Sequence, residues 1–283
     1  MTAGAPLSGL RAVTLAVNVP GPAAAARLRE FGAGVVKAEP PGGDPLARYN
    51  PAWYRALSDG QEVLSLDLKE AAERERLHGL LANADLFLTS SRPAALQRLG
   101  LIPAGLHEEY PRLGWVAIVG HPSPRADEPG HDLTYLAGRG LLDPPDLPRT
   151  LLADLAGAER AVSAALGLLL ARERGAYTTA YAEVALSEAA AAFDQPLRHG
   201  ITGPGGLLGG GLPGYNLYRC SEGWIAIAAL EEHFLEALRS GLGLPEAGYE
   251  DLQKAFQRRT AAYWEGWAAE RDLPLVAVRE TPP

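Results

Sequence analysis

Short apolar runs and longer stretches of helical periodicity take turns along the first 120 residues. "LRAVTLAV" (10–17), "VVKAEP" (35–40), "EVLSLDL" (62–68), "DLFLTSS" (85–91) and "LGWVAIVG" (113–120) are rich in β-favouring residues and predict strands. Between them "PGPAAAARLREFGAG", "KEAAERERLHGLLANA" and "PAALQRLG" carry apolar positions at helical spacing, and the first closes on glycine. Strand and helix in alternation are the signature of parallel crossovers, so the pattern predicts an α/β fold with a Rossmann-like open parallel sheet.

The second half changes character. From Asp154, "DLAGAERAVSAALGLLLARERG" is the clearest helix in the chain, with an acidic start, an apolar face, and Arg before the closing Gly175. "TTAYAEVAL" (178–186) predicts a further strand and "SEAAAAFDQPLRHG" a helix. The Gly-rich "GPGGLLGGGLPG" (203–214) reads as a boundary and interdomain linker, with a flexible lid over a site as the sharper alternative. Beyond it "YNLYRCSEGWIAIAAL" predicts a hairpin. Helices are expected at 231–242, 249–260 and 262–271, and "LPLVAVRE" closes with a strand. The expected organisation is a large α/β domain over 1–200 and a smaller α+β domain over 201–283.

Composition narrows the class. The 283 residues suffice for one large and one smaller core without staples. A single cysteine, Cys220, excludes an internal disulfide and any cysteine metal cluster, which fits a reducing, cytoplasmic setting; it reads as a small packing residue. The net charge of −8 argues against nucleic-acid or anionic-membrane binding. The longest apolar run, "AVSAALGLLLA", is too short to span a bilayer, and "MTAGAPLSG" lacks the features of a secretion signal.

Few segments carry chemistry. "NVPGPAAAARLREFGAG" lacks the G-x-G-x-x-G spacing, which excludes the usual dinucleotide loop, and the Gly-rich stretch has no Lys-Ser/Thr to make a P-loop. No histidine spacing supports a metal site. Asp154 is either a helix N-cap or a carboxylate at a helix N-terminus, beside N–H groups able to stabilise an oxyanion. His131, in "GHDLTYLAG", is either structural or the partner of a carboxylate in moving protons on opposite faces of a carbon acid. Glu231 and Glu232 stand at a helix start, complementing its dipole or supplying a carboxylate to orient a histidine.

Taken together, "GPAAAARLREFGAGVVKAEPPGGDP", "LSLDLK", "SRPAALQRLGL", "GHDLTYLAG", "LLADLAG" and "YNLYRCSEGWIAIAALEEHF" resemble the family III (CaiB/BaiF-like) CoA-transferases along nearly the whole chain. His before the Asp of the "G-x-D" block and Glu in "A-L-E" resemble the α-methylacyl-CoA racemase branch. The resemblance implies racemisation of a 2-methylacyl-CoA thioester in fatty acid metabolism, through an enolate, with His131 and Asp154 as the two bases and Glu231 orienting His131. It implies that Lys37, Arg92, Asp132 and Tyr135 serve substrate and CoA: Lys37 near the adenine end, Arg92 near the phosphates, Tyr135 behind the bases. No bound cofactor is implied, coenzyme A arriving as part of the substrate, and an interlocked homodimer is. A CoA-transferase using Asp154 as acyl acceptor is the alternative. The family's basic stretch before the third strand is here Ser58-Asp59-Gly60-Gln61-Glu62, and the C-terminus is shorter than the family's, features that suit a catalytically degenerate acyl-CoA-binding or dimer-partner paralogue.

Overall fold

The computed structural model describes residues 4–176 and 180–281. They divide into two compact units between Asp194 and Gln195, a few residues before the boundary drawn at 200.

The larger unit runs β1 (Arg11–Thr14), α1 (Pro20–Glu30), β2 (Gly34–Glu39), α2 (Pro45–Tyr49), α3 (Pro51–Ser58), β3 (Glu62–Ser65), α4 (Ala71–Leu81), β4 (Leu86–Thr89), α5 (Pro93–Arg98), α6 (Pro103–Glu109), β5 (Gly114–Val119), α7 (Asp132–Ala137), α8 (Leu152–Glu173), β6 (Tyr181–Ala185) and α9 (Leu186–Ala191). Every strand pair is parallel and the order is β3-β2-β1-β4-β5-β6, so the sheet is the expected Rossmann-like open sheet, with the winding direction reversing between β1 and β4. Strand β6 starts at Tyr181; positions 178 and 179 of its expected span lie outside the described residues.

β4 and β5 are buried along their whole length because helices cover both faces. On one face Leu86, Leu88, Val116 and Ile118 meet α1 and α8, whose Ala24, Leu28, Ala161 and Ala165 let helix and sheet approach closely. On the other, Val13, Val36, Phe87 and Trp115 pack on Leu77, Leu81, Leu96 and Leu106. The predicted helix over 187–200 is broken: α9 ends at Ala191 and α10 (Gln195–Arg198) begins anew. Pro196, without an N–H, cannot continue the ladder across the gap.

The smaller unit adds β7 (Tyr215–Arg219), β8 (Trp224–Ala228), α11 (Glu232–Leu242), α12 (Tyr249–Phe256), α13 (Ala261–Ala269) and β9 (Leu275–Ala277), the strands forming an antiparallel sheet. Its core gathers Tyr218, Ile225, Ile227, Leu238, Phe256 and Trp264. Cys220 is buried there and burial pushes its thiol up, in keeping with a packing role. The Gly-rich stretch is not an extended linker. It folds on itself within this unit, Leu208 N–H donating to the Ile201 carbonyl and Gly211 N–H to that of Gly206, and a side chain at Gly206 or Gly209 would strike the loop's own carbonyls. Among the described residues no helix is long and apolar enough to cross a membrane.

Candidate active site

The carboxyl ends of β1, β4 and β5 surround a cavity of about 220 Å³ at the reversal of strand order, the place where open α/β sheets take ligands. Asn18 reaches it from β1, Ser90 to Arg92 from β4, and Gly120 from β5; His131, Tyr135 and Asp154 complete it. His131, Asp154, Tyr135 and Arg92, far apart in sequence, are thus brought together.

His131 is the residue before α7. Its N–H donates to Thr134 Oγ1 at 3.0 Å, and that hydroxyl donates to the His131 carbonyl at 2.7 Å, so backbone bonds fix the helix start and leave the exposed imidazole available. Tyr135, one turn on, is buried against Gly120 and Gly130, where any Cβ would crowd its ring, and His121 meets it edge-on at 5.3 Å.

Asp154 is the third residue of α8, whose cap is Leu151, so it is not the N-cap. Burial first, and the charge of Asp132 second, push its carboxyl from 3.8 up to about 7. These outweigh the helix N-terminus, which alone favours the carboxylate. Asp132 corrects an expectation. It is 4% exposed and its Oδ1 accepts the Asp154 N–H at 3.0 Å, so it ties α7 to the first turn of α8 rather than meeting a substrate. The same bond takes up one of the N–H groups of the α8 N-terminus.

Lys37 is a second correction. It is 1% exposed, with its ammonium 2.6 Å from Asp44 and 2.7 Å from Glu39, and so cannot reach a CoA adenine. Arg92 lines the cavity that holds His131 and Asp154, close enough for its charge to oppose the burial that raises the Tyr135 phenol. Glu231 lies in the smaller unit, exposed, immediately before α11. A neighbouring, more apolar cleft of about 530 Å³ runs past the ends of β1 to β3, walled by Pro40, Pro41, Leu66, Leu68, Leu96 and Leu99, with Lys69 as the one cation among its lining residues. Asp59 and Glu62 line neither space; Asp59 lies 4.0 Å from the Arg29 guanidinium, and Glu62 opens the edge strand β3. Asn18, Glu128 and Lys69 are absent from the expected set. Glu128, clamped by Arg125 at 2.6 Å, sits in a Pro/Gly-punctuated segment without any local pattern.

A parallel α/β sheet with a histidine and a raised-pKa carboxyl beside a cavity at its switch point defines the class: an α/β protein with its candidate site at the carboxyl ends of the strands. The chain belongs to CoA-transferase family III, whose sequence model spans residues 7–281. It is 32% identical over 263 residues to human α-methylacyl-CoA racemase, covering 84% of this chain and 65% of that one, just under two thirds of its length. It is 25% identical to the (R)-2-hydroxy-4-methylpentanoate CoA-transferase of Clostridioides difficile, covering 92% and 77% respectively. Solved structures share the fold: a hypothetical protein of Mycobacterium tuberculosis (23% identity, TM-score 0.85, covering 98% of this chain and 86% of that one) and a CAIB/BAIF family protein of Brucella suis (21%, 0.81, 98% and 85%).

Proposed function

We propose that this protein epimerises the α-carbon of a 2-methylacyl-CoA thioester by two-base proton transfer. The observation that carries the reading is the shared cavity of His131 and Asp154, with the Asp154 carboxyl at about 7. A thioester α-proton is weakly acidic, and a catalytic group works best when its pKa lies near the working pH. From one enantiomer Asp154 takes the α-proton, the carbon's electron pair enters the enolate, and protonated His131 returns a proton to the opposite face. From the other enantiomer the roles exchange. We propose that these side chains suffice without a bound cofactor, coenzyme A entering as part of the substrate along the cleft that holds Lys69.

A second reading, acyl transfer through an Asp154 anhydride, is favoured by the CoA-transferases among the relatives. His131, beside Asp154 in the same cavity, supplies the second base that epimerisation needs and acyl transfer does not, which ranks this reading below the first. Asp59 and Glu62 line neither space, which counts against the degenerate paralogue without bearing on the shorter C-terminus.

The test follows a single 2-methylacyl-CoA epimer by chiral chromatography. The parent protein should yield both epimers, and His131→Ala or Asp154→Asn should slow this by at least about 100-fold. Transfer of CoA to a free carboxylic acid without epimer formation would contradict the reading. Lys69→Glu should raise KM about tenfold at unchanged kcat, since it places like charge near the CoA phosphates without touching the reacting carbon; an unchanged KM would place the nucleotide elsewhere.

A further inference from the structure

Asn18 stands just beyond β1 with φ at 68°, in the left-handed region that asparagine enters more readily than other non-glycine residues. Here two neighbours fix the segment. Val17 N–H donates to Ser90 Oγ at 3.0 Å, and Asn18 N–H donates to Asp44 Oδ1 at 2.9 Å.

Asp44 is itself held from every side. Its Oδ1 also accepts the Leu46 N–H at 2.9 Å, its Oδ2 lies 2.6 Å from Lys37 Nζ, and its N–H donates to Glu39 Oε2 at 3.2 Å. Lys37 lies 2.7 Å from Glu39 Oε1 and 4.7 Å from the centre of the Tyr54 ring, while the Tyr54 hydroxyl donates to Glu39 Oε1 at 2.8 Å. An ammonium and two carboxylates are costly to take out of water unless their partners are complete. These are complete, and they underlie the one segment that carries Asn18 into the reaction cavity.

Asn18 is exposed and lines that cavity, together with His131 and Asp154. Among the described residues its amide has no hydrogen-bond partner. Meanwhile the Asp154 N–H, one of the N–H groups at the start of α8, is committed to Asp132.

We propose that Asn18 is a catalytic residue whose side-chain N–H donates to the thioester carbonyl oxygen, and that Asp44, neutralised by Lys37, is the positioning residue that holds it. This rests on the reading of the substrate as an acyl-CoA thioester. As the α-proton leaves for the base, its electron pair forms the enolate double bond and the carbonyl π pair moves onto oxygen. A donor already in place stabilises that oxygen most where its charge is greatest.

The experiment uses 2-methylpropanoyl-CoA with a ¹³C-labelled carbonyl and infrared difference spectroscopy on the full chain. Asn18→Gly deletes the amide and keeps the left-handed backbone, so the fold should survive. The parent should move the bound carbonyl stretch to lower frequency, and Asn18→Gly should lose at least half of that shift. Turnover should show kcat lower by about 100-fold with KM within about threefold. Asp44→Ala, or Asp44→Asn where the alanine variant does not fold, should cut kcat in the parent and add less than about twofold in the Asn18→Gly background. Additive losses would mark Asp44 as purely structural and reject its positioning role. A bound thioester with the same carbonyl frequency in both proteins overturns the proposal alone. A shifted carbonyl without α-proton exchange supports Asn18 and rejects epimerisation. Failure of the parent to bind the thioester rejects both.

Discussion

Asp154 carries opposing demands in one side chain. Burial and Asp132 hold its carboxyl near 7, against 3.8 for an ordinary aspartate. Between those values the folded chain keeps a proton that the unfolded chain has released, so stability falls as pH rises through the window and stays lower above it. Asp154→Asn removes that loss. At pH 8 it should be more stable than the parent by on the order of 1–3 kcal/mol, and at pH 4 the two should coincide. Thermal melts at both pH values check this, and equal melting at pH 8 would contradict the assigned environment. Lys37 shows what residue-level reading misses. Its spacing to Glu39 puts both on one face of β2, but no spacing says whether an ammonium meets phosphate or two buried carboxylates.

At the scale of elements, the strands were legible because parallel strands covered on both faces are plain apolar runs, as in "LGWVAIVG". The helices that escaped notice, α2, α3 and α6, have eight residues or fewer and begin at proline. Asp44 and Asn50 cap the first two through side-chain oxygens, so Asp-Pro and Asn-Pro were the available signals, outweighed by the length that helical periodicity needs. α7, only six residues long, was hidden in the same way, and with it the link from Asp132 to α8. The turn from β1 into α1 places Gly21 directly against Ala16: a Cβ there would overlap the Ala16 methyl and sit 3.1 Å from its Cα and carbonyl carbon. Backbone must move to admit it, and the segment that moves carries Asn18. Gly21→Ala should therefore lower stability by on the order of 2–3 kcal/mol and lower turnover with it. A urea midpoint equal to the parent's would show that the turn tolerates the methyl.

For the whole molecule, the sheet class was readable from alternation of elements, whereas the site was not readable from spacing. His131 and Asp154 converge because the winding of the sheet reverses between β1 and β4, leaving a crevice at the carboxyl ends of the strands. Periodicity carries no trace of that reversal, and the pairing came from likeness to a family rather than from the residues. The two-base account turns on whether this chain labilises the α-hydrogen of a thioester. The most direct measurement incubates the protein with a 2-methylacyl-CoA in D₂O and follows the thioester mass. The account predicts gain of one deuterium at the α-carbon, slowed by at least about 100-fold in His131→Ala from the enantiomer that His131 deprotonates and in Asp154→Asn from the other. A thioester that binds and stays unlabelled, or labelling of both enantiomers that survives the loss of either side chain, would contradict it.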